Sequence, residues 1–311
     1  MAANSIKQIL NGDVRAVASL MSLIEDGDPK ARVALKAIYP RTGMAHVIGV
    51  TGVAGTGKSS LIDRMTAEYR RRKKSVGILA VDPSSLFSTG ALLGDRIRMR
   101  DHFLDDGVFI RSFASRGNRG GLAGAVRGSI HILDAMGKQV IFVETIGVGQ
   151  DQLEIAALAD LVVVVLMPEM GDEVQGMKAG LAEIADMLVV NKADLAGADR
   201  TIGQLQALFG DSGILLIATS ALKNEGTELL VQSIEERRTM SLGNGSYQKK
   251  RLDLCRRELL SLLQERVVAE LAKRIGDHLL ERQLKRIVDR QIDPYSAVEE
   301  LAKAMRLASR E

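Results

Sequence analysis

The sequence predicts an α/β fold with a mostly parallel central sheet covered by helices on both faces, and with helical extensions at both ends. Three observations predict it. Short apolar runs at 46–51, 76–82, 108–113, 139–146, 161–167, 186–191 and 213–219 alternate with helical patterns, and unbroken apolar runs of this length indicate strands buried on both sides. The first run leads into a glycine loop, which leads in turn into a helical pattern from Ser60. Outside 46–243 the apolar spacing is helical, at 1–45 and again at 244–311, so the chain divides into an N-terminal helical extension, a sheet domain and a C-terminal helical region.

In the N-terminal extension, Ile6, Ile9 and Leu10, then Val14, Val17, Leu20, Met21 and Ile24, recur at three- and four-residue intervals. Gly12-Asp13 and Gly27-Asp28-Pro29 punctuate them as turns. The glycine loop is Gly52-Val53-Ala54-Gly55-Thr56-Gly57-Lys58-Ser59, which fits GxxxxGKS. Its glycines let successive backbone N–H groups surround phosphate oxygens, and the following helix turns its positive end toward the same anion. Lys58 is placed to reach the β- and γ-phosphates and the Ser59 hydroxyl to ligate Mg²⁺, and Ser60 is counted with the loop among the nucleotide-binding residues. Strand, loop and helix in this order make the fold class a P-loop NTPase, and the chain is expected to bind a nucleoside triphosphate.

In open sheets of this type the ligand sits at the carboxyl ends of the strands. There the second strand ends in Asp82-Pro83-Ser84-Ser85 and the fourth in Glu144-Thr145-Ile146-Gly147. An acid directly after a buried strand is where such an enzyme holds Mg²⁺ or its water; as helix caps alone, neither would need a metal. The long segment 86–107, with Leu93-Gly94-Asp95 and the run Arg96 to Asp101, is expected to act as a nucleotide-sensitive switch. Arg116-Gly117-Asn118-Arg119-Gly120-Gly121 follows the third strand and reads equally as two cations at the site or as a turn opening a helix.

The sixth strand runs into Asn191-Lys192-Ala193-Asp194, an NKxD tetrad. The Asp194 carboxylate can accept from guanine N1–H and the 2-amino group, while Asn191 and Lys192 support the loop and pack on the base. Adenine offers neither donor, and charge-assisted bonds of about 1.5–3 kcal/mol each favour GTP and GDP. Strand seven ends in Thr219-Ser220-Ala221-Leu222, whose backbone N–H groups, those of Ser220, Ala221 and Leu222 in particular, are expected to meet guanine O6. After Gly243-Asn244-Gly245-Ser246, read as a hinge, apolar residues at helical spacing (Leu252, Cys255, Leu259, Leu262, then Leu279, Leu280, Leu284, Ile287, then Val298, Leu301, Met305) form a helical region that needs a surface to pack on, either its own sheet domain or, as expected here, a second copy in a dimer.

Composition excludes several classes. Forty-two Lys+Arg stand against 39 Asp+Glu, a net charge of +3, with no Trp and 3% aromatics; neither an electrostatic footprint nor stacking platforms for nucleic acid are present. The single cysteine, Cys255, cannot pair internally and is expected at a packed helix position in a reducing compartment. No apolar run reaches membrane-spanning length, and residues 1–13 lack a signal-peptide pattern, so a cytoplasmic protein without a membrane partner is expected.

Most small GTPases carry D-x-x-G after the fourth strand, whereas this chain has the E-x-x-G of Glu144 to Gly147. With that residue the sequence resembles the MeaB/ArgK-type GTPases, chaperones of methylmalonyl-CoA mutase and related adenosylcobalamin-dependent acyl-CoA mutases. The matching stretches are 46–60, 81–85, 93–96, 116–117, 144–150, 171–178 and 191–194. The resemblance implies a homodimeric GTPase that binds the mutase, gates loading of its cobalamin with GTP, and limits or reverses its inactivation. It implies that Lys58, Asp82, Asp95 and Glu144 take the phosphate and Mg²⁺ positions, and that Pro168 to Lys178 forms a third switch. No cobalamin site is identifiable in this chain. Ala54 stands where the family commonly has proline, and Gly149-Gln150-Asp151-Gln152-Leu153-Glu154 where methylmalonyl-type members have Gly-Gln-Ser-Glu. A metal-inserting GTPase of the same branch would need Cys/His ligands, and here there are one Cys and four scattered histidines, His46, His102, His131 and His278. An ATP-dependent kinase is opposed by the tetrad Asn191 to Asp194.

Overall fold

The computed structural model describes residues 3–82, 102, 104–114, 121–145, 155–168, 170 and 180–308. Seven strands, β1 (His46–Thr51), β2 (Val76–Asp82), β3 (Val108–Ala114), β4 (Val140–Thr145), β5 (Leu161–Leu166), β6 (Met187–Val190) and β7 (Leu215–Ala218), form one sheet in the order β3-β2-β4-β1-β5-β6-β7. Every ladder is parallel. Each strand lies at an expected apolar run. The seventh starts two residues into its run, because Ile214 N still donates to Ser212 Oγ at 3.3 Å in the turn before it.

Parallel neighbours joined by right-handed crossovers decide which face each helix covers. From β1 the chain moves one way across the sheet through α4 (Lys58–Arg71), and from β3 it returns the other way through α5 (Gly121–Ala135). The crossover helices therefore land on opposite faces. One face carries α4 and α7 (Thr227–Gly243): Leu61, Ile62, Met65, Leu230 and Ile234 pack with Ile48, Val50, Phe142 and Val163. The other carries α5 and α6 (Ala198–Phe209): Ile130, Leu133 and Leu205 pack with Val47, Ile141, Val143 and Val164. The strand residues alternate between the two cores with the period of two that a sheet covered on both sides requires.

The N-terminal helices α1 (Ala3–Leu10), α2 (Val14–Glu25) and α3 (Pro29–Ile38) are part of this second core. Val17, Leu20, Met21, Ala34 and Ile38 are fully buried in it. The turns between them are helix starts: Asp13 accepts from Ala16 N at 2.9 Å, and Asp28 accepts from Lys30 N at 2.8 Å with Pro29 in the first turn. These caps satisfy N–H groups that a helix leaves unpaired.

At the amino ends of the strands, away from the glycine loop, three aspartates receive backbone N–H groups. Asp134 accepts from Gly43, Met44 and Ala45, Asp160 from Val47 at 2.9 Å, and Asp186 from Val162 at 2.8 Å. Two cations meet them: Arg251 lies 3.0 Å from Asp160 and Lys250 lies 2.8 Å from Asp186. Both cations come from the start of α8 (Ser246–Ile275). Chain contacts accordingly divide the molecule at this helix, into Met1–Arg251 and Leu252–Glu311.

The second unit contains the rest of α8, α9 (Asp277–Val288) and α10 (Pro294–Ala308). Asp293 caps α10 by accepting from Tyr295 N and Ser296 N, and Glu300 pairs with Arg286 at 2.6 Å. Helix α8 buries none of its residues. Cys255, expected at a packed position, is instead exposed, on a helix none of whose residues is fully buried among the described residues. Among the described residues no helix is long and apolar enough to cross a membrane.

Arg251→Ala should lower stability at neutral pH by about 3 kcal/mol, the usual cost of leaving a buried charge without its partner. Burial pushes the Asp160 carboxyl up from its ordinary value, so protonation favours the fold. The loss should be full above that raised pKa and should shrink as pH falls through it, when Asp160 becomes neutral. Chemical denaturation of both proteins across acidic to neutral pH checks this, and a loss that does not vary with pH would contradict it.

Candidate functional site

The glycine loop leaves β1 at Thr51 and enters α4 at Lys58. Two glycines are dictated by what lies against them. At Gly52, with φ of 142°, a Cβ would fall 2.2 Å from Val165 O, a backbone atom of β5. At Gly57, with φ of 88°, it would fall 2.5 Å from Asn191 Nδ2. The loop is thus pressed onto the ends of β5 and β6, and only glycine permits that approach. Between them Thr56 is buried and donates its hydroxyl to Val53 O at 3.0 Å, while Ala54 and Gly55 are exposed. Lys58 is 5% exposed, and its Nζ donates to Gly52 O at 2.8 Å and Val53 O at 3.0 Å, lying across the cradle it is expected to serve. Ser60 is exposed on the first turn of α4.

Ser59 meets the E-x-x-G acid. Its hydroxyl donates to Glu144 Oε1 at 2.7 Å, and both residues are buried. Strand order explains the meeting: β4 lies directly beside β1, with Glu144 opposite Val50, so the strand that carries the acid ends next to the loop. Asp82 ends β2, the strand on the other side of β4; its side chain lies outside the described residues. So do Asp95, most of segment 86–107, residues 116–120 and 146–154, and 171–178 of the expected third switch. The oxygen donors that are placed, Ser59 and Glu144, suit a hard divalent cation.

The tetrad after β6 acts first on the glycine loop. Asn191 Nδ2 donates to Thr56 O at 2.8 Å, and its Oδ1 accepts from Thr219 Oγ1 and from Ala221 N, each at 3.1 Å. One buried amide thereby joins the phosphate loop to the end of β7. Lys192 takes a left-handed backbone at φ 59°, with its Nζ 4.0 Å from Met167 Sδ. Asp194 is held below the usual carboxylate range chiefly by the Ser220 hydroxyl, with Lys223 at 3.9 Å contributing. It is therefore ionised and purely an acceptor, the state that reading two donors on a base requires.

The N–H groups of Ser220 and Ala221, expected to meet guanine O6, are paired within the chain: Ser220 N donates to Glu225 O at 2.9 Å and Ala221 N to Asn191 Oδ1 at 3.1 Å. Both amides are occupied because the turn after β7 closes on itself and on Asn191. Leu222, beyond them, is exposed. Sequence reasoning also passed over Arg64, whose Nε donates to Ala221 O at 3.0 Å and ties α4 to the same turn. On a helix, an arginine at that position reads as solvated surface, and no spacing signal distinguishes it.

Asn191→Ala removes three buried hydrogen bonds and leaves their partners unpaired, about 3 kcal/mol at a typical 1 kcal/mol each. Where the lost rigidity falls on the loop, guanine-nucleotide affinity should drop about a hundredfold, with the melting temperature lowered but a cooperative transition kept. Calorimetric titration with GDP checks this; wild-type affinity would show that the loop holds its shape without the amide.

The family model described as methylmalonyl-CoA mutase-associated GTPase MeaB matches residues 17–275. A protein of Pyrococcus abyssi provisionally named a GTPase is 43% identical over 307 residues, covering 96% of this chain and 95% of that protein. A Caenorhabditis briggsae protein named methylmalonic aciduria type A homolog, mitochondrial, is 32% identical over 203 residues, covering 60% of this chain and 49% of its own. Among solved structures, that of an LAO/AO transport system kinase superposes with a TM-score of 0.71 at 24% identity, covering 98% of this chain and 97% of that one, which speaks for the fold alone. Since the family model spans most of the chain and the archaeal relative nearly all of it, this protein belongs to the MeaB family of P-loop GTPases.

Proposed function

We propose that this GTPase attends an adenosylcobalamin-dependent acyl-CoA mutase, using GTP to gate loading of the cofactor and to protect or reactivate the enzyme. The match of the MeaB family model to residues 17–275 carries this reading, since that family is described by its association with methylmalonyl-CoA mutase. The name of the C. briggsae relative points the same way. In this reading cobalamin belongs to the mutase, and this chain supplies nucleotide-dependent timing.

The chemistry assigned to this chain is positional. The glycine loop and Lys58 would hold the phosphates, Asp194 the guanine, and Asn191 would keep the two at a fixed spacing. Magnesium fits the donors present: a buried hydroxyl and a buried carboxylate, Ser59 and Glu144, already converge at 2.7 Å. Asp82 and Asp95 are the further candidates. The ion would neutralise charge on the phosphate oxygens. Segments 86–107 and 168–178 are proposed to report nucleotide state to the mutase.

A homodimer is part of this proposal. Leu252, Leu259, Leu260, Leu263 and Val268 are each at least half exposed along α8, and a row of this kind on a soluble helix calls for a partner surface. A second copy supplies one by symmetry.

Single-turnover GTP hydrolysis with and without a cobalamin-dependent mutase tests the reading. Turnover should be slow alone and should rise about tenfold with the client, a coupling of the usual 1–3 kcal/mol. Glu144→Gln should lose both Mg²⁺-dependent nucleotide affinity and turnover. No response to any such mutase would leave a GTPase with another client, and an unimpaired Glu144→Gln would sink the magnesium assignment.

A further inference from the structure

The backbone ladder between β1 and β4 runs from His46 opposite Val140 to Val50 opposite Glu144. One residue further on, the strands are joined by side chains: Thr145 Oγ1 donates to Thr51 Oγ1 at 3.1 Å, with both threonines buried. Each is also held on its far side, Thr51 opposite Val164 of β5 and Thr145 opposite Val81 of β2. The hydroxyl bond therefore closes the seam at the middle of the sheet, where the phosphate loop begins.

Position gives the bond its meaning. Thr51 immediately precedes Gly52, and Thr145 immediately follows Glu144. Because side chains alternate along a strand, Glu144 points to the α4 face, where it meets Ser59, while Thr145 and Thr51 point to the opposite face. The pair thus sits behind the site and acts on it only through the two strand ends. Stability alone does not call for hydroxyls here. Valine has the same shape, forms strands at least as well, and would spare the desolvation of two polar groups.

We propose that Thr51 and Thr145 are positioning residues whose hydroxyl bond fixes the start of the phosphate loop against Glu144, and so sets the Ser59–Glu144 pair for a metal-bound nucleotide. This rests on the assignment of Ser59 and Glu144 to magnesium. The bond transmits no proton and touches no ligand; it holds two strand ends at one separation, so that the donors need no rearrangement when the ion arrives.

Equilibrium binding of a fluorescent GDP analogue, in Mg²⁺ and in EDTA, tests this on Thr145→Val, Thr51→Val, Thr145→Ser and Glu144→Gln. In both valine variants the gain in affinity that Mg²⁺ confers should fall about fivefold, the worth of one buried hydrogen bond, while affinity in EDTA stays at the wild-type level. Thr145→Ser, which keeps the hydroxyl, should restore the gain. Equal losses in Mg²⁺ and EDTA, or failure of the valine variants to fold, would make the bond a structural one and overturn the proposal. An unchanged gain in the valine variants, with a reduced one in Glu144→Gln, would overturn it alone. If Glu144→Gln also kept the full gain, the magnesium assignment would fall first and the proposal with it.

Discussion

The side-chain amide of Asn191 is the contact on which the site depends. It leaves the end of β6, donates to Thr56 O in the phosphate loop, and accepts from Thr219 and Ala221 after β7. An amide donates through its nitrogen while accepting through its oxygen, and burial makes each of those bonds costly to lose. Gly57 is part of the same arrangement, since any side chain there would occupy the space of Asn191 Nδ2. The outcome is that the glycine loop, the end of β6 and the turn after β7 are tied together at one side chain. The bond between Arg64 and Ala221 O extends that tie to α4.

The opposite ends of the same strands are fixed by charge. Asp160 holds Val47 N at the start of β1, six residues or fewer from the glycine loop, and Asp186 holds Val162 N at the start of β5, the strand against which Gly52 is pressed. Both carboxylates are met by Arg251 and Lys250 from the first residues of α8. The first residues of α8, which belong to the first unit, are thereby held at the starts of β1 and β5, and of the two pairs only Arg251–Asp160 has a buried carboxylate.

Much of this was legible in the sequence, and the exceptions share a cause. Strands β1, β4, β5 and β6 were legible because they are buried along their whole length and read as unbroken apolar runs; β7, at the edge of the sheet, is partly exposed. The motifs were legible because backbone geometry demands their glycines. What the sequence could not express was pairing at long range. The spacing of Val17, Leu20 and Met21 states that α2 has an apolar face, yet only the fold shows that face completing the sheet's second core. Arg251 and Asp160, ninety-one positions apart, read separately as a helix charge and a loop charge. Thr51 and Thr145 read as ordinary strand residues. For Cys255 the periodicity was right about helix but not about cover: the residue is exposed. The pairing of the Ser220 and Ala221 amides was not legible either, because a turn's own hydrogen bonds leave no trace in residue identity.

The central claim is that a loop preset by Asn191 presents the ionised Asp194 to guanine. Competition titration of GDP, ADP and xanthosine diphosphate against the wild-type protein and Asp194→Asn measures it directly. The wild type should bind GDP about a thousandfold more tightly than ADP, from two charge-assisted bonds that adenine cannot make. Asp194→Asn should lose most of that margin and turn toward xanthosine diphosphate, whose carbonyl oxygen replaces the amino group and suits an amide donor. A wild type that binds ADP within tenfold of GDP, or an Asp194→Asn protein with its preference unaltered, would contradict the account.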